Sequence, residues 1–328
     1  MKKFSHLFAV LVLSFSLVVT TLSAIKVKAQ DAIKVAIVQI VSHPSLDEIV
    51  QGVKDGLAEA GYKEGENLEI DFHNAEGDMN ILTSITDTVI ANDPDLIFAV
   101  TTPVAQAFAQ ATSDIPVILT GVTDPVGAGL AESLENPGGN ITGISDAVSF
   151  EEQFELVKSL TPDVKKIGML YTTSEDSALS ELEAAAEVAQ SLGFETEIKG
   201  IDSTLDMQLV AESLAGEVDA IFVGSDNTIA SAFETLVDAT DAAGVPIYTT
   251  VDVFVKQGAL AAVAINQGDI GTQAAALAVK VLEEGNPGQN PIEFVKDKVA
   301  VYNKATADRL GLELSEDLTK DLKDLSEE

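Results

Sequence analysis

The stretch DAIFVGSDNTIAS, residues 219–231, decides the fold, because an apolar strand pattern is followed at once by polar residues and then by a helical pattern. An earlier stretch, DLIFAVTTPVAQA at residues 95–107, has the same order, with Thr101 and Thr102 in the polar position. A buried strand that turns into an amphipathic helix is the repeating unit of parallel α/β sheets. The pair therefore predicts at least two such units.

Short apolar runs alternate with segments of helical periodicity along the rest of the chain. The segment LDEIVQGVKDGLAEAGY places Ile49, Val53 and Leu57 on one face and reaches Gly61, a residue typical of helix ends. Strands are expected at residues 33–40, 68–72, 96–100, 117–120, 167–171, 195–198, 220–223, 247–249 and 260–265.

The order of elements repeats once, since residues 31–145 and 163–250 follow one plan. IKVAIV corresponds to KKIGML, DLIFAV to DAIFVG, and DIPVILT to GVPIYTT. The sequence therefore predicts an α/β fold with two doubly wound parallel-sheet lobes joined by a hinge.

Polar residues follow the predicted strands at their carboxyl ends, where ligands bind in open parallel sheets. Thr101 and Thr102 precede a proline, and residues 225–228 (SDNT) occupy the matching position of the second half. If the lobes face each other, both groups line one cleft. Simple capping of the two helices is the alternative.

The N-terminus has the features of a secretory signal peptide. Lys2 and Lys3 precede an apolar run at residues 7–19, and Val27 and Ala29 are small residues before a cleavage point. We expect a signal peptide at residues 1–29 and an exported protein, with an uncleaved membrane anchor as the alternative. The chain has no cysteine, so neither disulfides nor thioether lipidation are expected.

The formal net charge of −34 argues against nucleic acid as a partner. A solvated anionic surface explains this charge, and adaptation to salt or to an anionic cell wall remains open.

Catalytic and metal-binding patterns are weak. His43 and His73 are too far apart for a metal-binding pair on one helix, and there is no Gly-x-Ser-x-Gly turn. The segment GAGLAE has Glu132 where a dinucleotide fingerprint needs its third glycine. We expect no catalytic residues, no metal and no cofactor.

Binding chemistry is better supported, because hydroxyl groups and helix N-termini suit a carboxylate and aspartates suit an ammonium group. Together these groups suit a zwitterion such as an amino acid. Asp226 is the expected ammonium acceptor, with Thr101 and Thr102 across the cleft for the carboxylate. The candidate ligand-binding residues are Ser42, Thr101, Thr102, Thr123, Asp124, Asp146, Ser174, Glu175, Asp226, Asn227, Thr228, Thr250 and Asn266.

The segments TTPVAQAFAQATSDIPVILTGVTDPVGAGL, PGGNITGISD, SDNTIASA and KKIGMLYTTSEDSA resemble substrate-binding proteins of ABC importers, in the family that includes tryptophan- and tyrosine-type binders. The resemblance implies a type I periplasmic-binding-protein fold, hinge closure on the ligand and delivery of the ligand to a membrane permease. Because a ligand held by both lobes favours the closed state, we also expect a monomer that closes about a hinge near Asp146, Thr250 and the stretch before Asn266. The resemblance also implies an N-terminal lobe of residues 31–145 plus 262–290, a C-terminal lobe of 146–261 plus 291–320, and an acidic tail at 321–328.

Two points stay open at this stage. The segment AINQGDIG at residues 264–271 has Asn266 and Gln267-Gly268 where the family has an acid and two aromatic residues, so both aromatic and non-aromatic ligands are open. The second point is the role of the closed form, because a ligand sensor that presents it to a membrane signalling receptor is an alternative to transport. An exported hydrolase is a weaker third alternative, since no nucleophile and base are evident.

Overall fold

A computed structural model describes residues 32–327, so the expected signal peptide lies outside the described residues. None of the helices in this range combines the length and apolar character needed to cross a bilayer.

The first lobe is built on a parallel sheet of six strands in the order β11-β5-β4-β3-β1-β2. Its strands are β1 (Ile33–Gln39), β2 (Leu68–Asn74), β3 (Leu96–Val100), β4 (Val117–Thr120), β5 (Ile141–Ser145) and β11 (Glu293–Phe294). Its helices are α1 (Pro44–Glu59), α2 (Met79–Ala91), α3 (Thr102–Ala111) and α10 (Gln267–Glu284), followed by a short 3-10 turn at Pro287–Gln289. Strands β3 and β4 are buried on both faces, which explains their continuous apolar sequences.

The second lobe has a sheet of seven strands in the order β13-β12-β10-β9-β8-β6-β7, with one antiparallel pair, β10 and β12. Its strands are β6 (Lys166–Thr172), β7 (Glu195–Ile201), β8 (Ala220–Val223), β9 (Ile247–Val251), β10 (Ala261–Ile265), β12 (Lys298–Tyr302) and β13 (Lys323–Asp324). Its helices are α4 (Phe150–Leu160), α5 (Asp176–Ser191), α6 (Met207–Ala215), α7 (Asn227–Ser231), α8 (Phe233–Asp241), α9 (Asp252–Lys256), α11 (Lys304–Arg309) and α12 (Glu316–Thr319). The predicted α/β fold with two doubly wound lobes is confirmed.

The chain passes between the lobes three times, at residues 146–149, at Asn266 and at residues 295–297. Two boundaries differ from the sequence-based ones. Strand β10 pairs with β9 and β12 in the second sheet, whereas the short strand β11 pairs with β5 in the first. Apolar patterns identify strands without showing which sheet they join, so residues 262–265 and 291–294 change lobes.

The C-terminal segment, expected as an acidic tail at 321–328, is part of the second sheet. Strand β13 extends the second sheet beside β12, and the neighbouring Leu325 is only 3% exposed. Strand pairing and the burial of Leu325 together hold this end of the chain against the second lobe.

Helices α1 and α10 pack with their backbones in contact, and this packing sets the floor of the first lobe. A Cβ atom on Gly52 would lie 2.2 Å from the carbonyl oxygen of Gly268, and one on Gly271 would lie 2.1 Å from that of Ile49. Only glycine permits this approach. Both helices begin at the cleft, so their close packing fixes the position of two cleft walls.

Candidate functional site

A cavity of ≈ 490 Å³, counting the part open to solvent, lies between the lobes at the carboxyl ends of both sheets. The lining residues are His43, Ser45, Leu46, Ile49, Thr101, Thr102, Gly121, Thr123, Asp146, Ser177, Ser225, Asp226, Asn227, Ala230, Val251, Phe254 and Gln267. Both lobes contribute, so the two polar groups expected from the sequence do meet in one cleft.

Thr101 ends strand β3 in a backbone conformation that threonine rarely adopts, with φ of 83° and ψ of 161°. Such conformations cost on the order of 1–3 kcal/mol and persist where the surroundings impose them. The side chain is buried, yet its hydroxyl oxygen has no hydrogen-bond partner. The structure therefore holds a strained residue that presents a free hydroxyl group at the start of α3.

His43 and Ser45, at the start of α1, also carry free polar atoms in the cavity wall. His43 Nδ1 and the Ser45 hydroxyl are buried without partners, while His43 Nε2 lies 3.5 Å from Asn227 Oδ1 of the other lobe. Burial lowers the pKa of His43, partly offset by Asn227, so the ring is neutral at neutral pH. With its proton on Nε2, the ring offers Nδ1 to the cavity as an acceptor.

Three carboxyl groups lie close together at the base of the cleft, and we call Asp146, Glu181 and Asp226 the acid cluster. Ser225 N donates to Glu181 Oε2 at 2.8 Å, and Ser225 and Thr123 lie against the Asp146 carboxyl group. Asp146 Oδ1 is buried without a partner. No described lysine or arginine forms an ion pair with any of the three, so the cluster lacks a compensating cation.

Burial governs the protonation of the acid cluster. It raises the pKa of Glu181 to about 8, with the nearby Asp146 and Asp226 carboxyls acting in the same direction. Burial and the charge of Glu175 raise the pKa of Asp226, and burial raises that of Asp146. Since like charges in a dry site disfavour one another, the cluster retains a proton at neutral pH.

Asp226, the residue expected to accept the ligand's ammonium group, already receives three hydrogen bonds. Its Oδ1 accepts from Ile229 N and from the Thr172 hydroxyl at 2.8 Å each, and its Oδ2 accepts from Thr172 N at 2.6 Å. It therefore caps α7 and ties this helix to the end of β6. Its side chain still lines the cavity.

Glu175 occupies the amide groups at the start of α7. Its carboxylate accepts from Asn227 N, Asn227 Nδ2, Thr228 N and the Thr228 hydroxyl at 2.8–3.1 Å. These contacts place Glu175 and Thr228 in the structural frame of the second wall.

The structure places the remaining sequence candidates around the cavity rather than at its centre. Asp124 and Ser174 line a second, outer opening, where Asp124 accepts from Gly127 N. Ser42 is exposed and bonds to Asp47. Thr250 lies beside Glu181, and Asn266 caps α10 while its amide nitrogen lies 3.5 Å from Asp252 Oδ2.

Several residues at or behind the cavity wall escaped sequence reasoning. Ser225 adjoins Asp226 in the quoted stretch and was available from position alone. Glu181 lies inside α5 among alanines and exposed acids, where nothing in the sequence separates it from the solvated face. His43, Ser45 and Gln267 reach the cavity only because α1 and α10 start there.

Phe254 contributes an aromatic ring to the cavity wall. Its ring stacks on Phe233, with centroids 4.3 Å apart and planes 15° apart. Phe150 instead packs edge-on against Phe222, and the Tyr248 hydroxyl bonds to Thr161 in the core. The cavity thus has one supported aromatic wall.

Comparison with known proteins places this geometry in a family. The model of ABC transporter substrate binding proteins matches residues 34–324. The chain belongs to this family. A tyrosine-binding protein of Clostridioides difficile (strain R20291) is 38% identical over 290 residues, which cover 88% of this chain and 84% of that protein. Proteins of this family bind ligands for transporters, and those that serve ABC importers are exported.

Two solved structures show the same fold. An ABC domain from Streptococcus pneumonia in complex with L-Trp is 40% identical, with a TM-score of 0.85 over 89% of this chain and 98% of that chain. The ligand-free, open structure of a Clostridium difficile substrate binding protein with adhesive properties is 36% identical, with a TM-score of 0.70 over 89% and 98%. The type I periplasmic-binding-protein fold is thereby confirmed.

Side chains of the two lobes of this substrate-binding protein meet across the cleft. His43 Nε2 of the first lobe lies 3.5 Å from Asn227 Oδ1 of the second. Lys256 Nζ lies 3.3 Å from Glu48 Oε1, which joins α9 to α1. The described structure therefore corresponds to a closed arrangement.

The acid cluster predicts a specific pH dependence of stability. Glu181 ionises near its ordinary pKa of 4.5 when unfolded but only near 8 when folded. Its contribution to stability is therefore complete below about pH 4.5 and is lost as the pH rises through about 8. We expect Glu181→Gln to stabilise the ligand-free protein by roughly 2–4 kcal/mol at about pH 9 and by much less at about pH 4.5.

Thermal melts across this pH range provide the measurement. Glu183→Gln, an exposed position on the same helix, is the matched control and should follow the wild-type curve. Parallel curves for Glu181→Gln and wild type would contradict the assigned burial effect.

Proposed function

We propose that this substrate-binding protein captures an α-amino acid with an aromatic side chain between its lobes and delivers it to an ABC permease. The observation that carries the proposal is the set of buried polar atoms without partners in the cavity wall, which are His43 Nδ1 and the Ser45 and Thr101 hydroxyl groups of the first lobe and Asp146 Oδ1 at the first crossing. The helix N-terminus and hydroxyl group at Thr101 suit a carboxylate, and the carboxyl groups of Asp146 and Asp226 suit an ammonium group, which matches the two charges of a zwitterion.

The ammonium end of the ligand belongs at the acid cluster, and Asp146 is its main acceptor. Asp146 Oδ1 is buried and free, whereas both oxygens of Asp226 already accept hydrogen bonds. A buried acceptor without a hydrogen-bond donor is unfavourable, because it has left water and gained no bond in exchange. A ligand ammonium group supplies both the donor and the missing positive charge.

The carboxylate end belongs at the start of α3, in the first lobe. This helix has ten residues, and its first turn leaves backbone N–H groups without helical partners. Thr101 adds a buried free hydroxyl group at the same point. The corresponding end of α7 is filled by Glu175, so the ligand has one orientation rather than two.

The side chain of the ligand lies along the apolar part of the wall. Leu46 and Ile49 contribute from α1, and Phe254 contributes a ring that is held in place by Phe233. Offset stacking on such a ring favours an aromatic ligand by about 0.5–1.5 kcal/mol. The tyrosine-binding relative and the L-Trp complex support the same ligand class.

Residues 1–29 are proposed to act as the export signal, and the permease is the membrane partner. The family match favours transport over the alternative of a ligand sensor that signals through a membrane receptor. Catalysis has no support in the cavity, whose free groups suit binding at both charges of the ligand.

Thermal-shift screening tests the ligand class. L-tryptophan and L-tyrosine should raise the melting temperature, because ligand at ~100 times its dissociation constant stabilises by ~2.7 kcal/mol. Ribose and glucose, which lack both charges, serve as controls and should produce no shift. Stabilisation by a sugar and by no amino acid would overturn the proposed function.

Substitution of Asp146 tests the ammonium contact. We expect Asp146→Asn to weaken amino-acid binding by more than tenfold, since removing one partner of a buried charged pair costs ~2–5 kcal/mol. Titration calorimetry gives the affinity, and a melt of the ligand-free variant checks the fold. Asp163→Asn, an exposed loop position, is the control. Unchanged affinity for Asp146→Asn would reject the contact.

Hinge closure is the third test of the proposal. A ligand held by both lobes favours the closed form through its differential affinity. Small-angle scattering should show a smaller radius of gyration at saturating L-tryptophan than without ligand. An equal radius in both samples would exclude closure on the ligand.

A further inference from the structure

The acid cluster retains a proton at neutral pH, and that proton opposes the binding of a ligand ammonium group. Asp146, Glu181 and Asp226 come from three separate elements: the first crossing between the lobes, the middle of α5 and the cap of α7. Glu181 and Asp226 are 7% and 3% exposed. Buried carboxyl groups hold a proton when the cleft is empty, because burial disfavours their charge, and they release it when a cation binds beside them.

We infer that capture of an amino acid ionises the acid cluster and releases a proton to solvent, so that affinity for the ligand rises with pH. The inference rests on the proposed function, because the ligand's ammonium group is the cation that displaces the proton. The step balances, since one positive charge enters the cluster with the ligand and one leaves as the proton.

The geometry of Glu181 supports this assignment. Its carboxyl group lies directly behind the Ser225–Asp226 turn, and a Cβ atom on Gly224 would lie 2.6 Å from the Glu181 carboxyl carbon. Gly224 thus lets this acid approach the wall of the cavity without touching the ligand. Glu181 acts as a positioning residue, through Ser225 N and through its charge.

The neighbours of the cluster leave few other sources for the proton. Thr250 of β9 faces Glu181, Glu175 and Thr172 face Asp226, and Thr123 faces Asp146.

Two further titratable groups border the cavity or hinge. His43 has a lowered pKa caused first by burial, so it has no proton to release at neutral pH. Asp252 begins α9 and lies 3.5 Å from the Asn266 amide of the second crossing. Burial raises its pKa to about 6 against the opposing charge of Lys256, so its ionisation overlaps the lower end of the tested range, and Glu181→Gln distinguishes its contribution from that of Glu181.

The sign of the pH dependence follows from the occupied and empty states. Burial holds the pKa of Glu181 near 8 in the empty cluster, and the ligand's ammonium group lowers it. Affinity therefore rises with pH where the empty cluster is protonated and the occupied one is not. The rise ends near pH 8, and the coupled groups share it as one apparent step.

Titration calorimetry with L-tryptophan at about pH 7, in phosphate and in Tris buffer, measures the released proton directly. The two buffers differ in ionisation enthalpy, so the difference between the measured heats gives the number of protons released. We expect between about a half and one proton for the wild-type protein, and an affinity that rises up to about tenfold per pH unit between about pH 6 and 7.5.

Glu181→Gln should at least halve the proton release and flatten the pH dependence, and Glu183→Gln should behave as wild type. Equal heats in both buffers with a flat affinity would overturn the inference and leave the proposed function standing. Unchanged release in a folded Glu181→Gln variant would overturn it as well. Absence of binding by any α-amino acid would overturn both the inference and the proposed function. If Glu181→Gln fails to fold, the proton release of the wild-type protein alone decides the inference.

Discussion

Burial of three carboxyl groups without a cation is the constraint on which the cleft depends. Charged groups in a site of low dielectric need a partner or must be neutral. Asp226 meets this requirement partly through Thr172 and Ile229, and Glu175 meets it through the amides of α7. Asp146 and Glu181 are left with weaker compensation. The frame of the second lobe is thereby fixed by hydrogen bonds, while its charge balance stays open to a ligand.

The two walls of the cleft are preorganised for the ligand in different ways. In the first lobe, the cost is conformational: Thr101 is held in a strained backbone conformation with its hydroxyl group free. In the second lobe, burial of the Glu181 and Asp226 carboxyl groups is electrostatically unfavourable, and a retained proton reduces this penalty. Groups fixed before the ligand arrives lose less freedom on binding. Each wall thus suits one charge of a zwitterion, and together they define its direction.

The sequence predicted the strands, the two-lobed architecture and the meeting of two polar groups, because alternation of apolar strands and helices follows directly from the fold. It could not predict sheet membership at the crossings, since β10 and β11 carry no local signal of their lobe. Glu181 was missed because burial of one acid on an acidic helix depends on the distant turn at Gly224. For Asp226, sequence position showed that it faces the cleft but not that Thr172 already bonds to it.

The same carboxyl groups link occupancy to closure. In the closed arrangement without ligand, Asp146, Glu181 and Asp226 are withdrawn from water and must stay partly neutral, which costs free energy above the ordinary pKa of a carboxyl group. Opening of the cleft admits water to the cavity side of Asp146 and Asp226 and lowers this cost, while Glu181 keeps its contacts with Gly224 and Ser225 of the second lobe and therefore its proton. A ligand ammonium group lowers the cost too, but only when the lobes are closed around it. The cross-lobe pair between Lys256 and Glu48 is partly exposed and contributes at most about 1 kcal/mol. Closure therefore depends on the charge that the ligand brings, since the contacts between the lobes alone do not offset the burial of the acids.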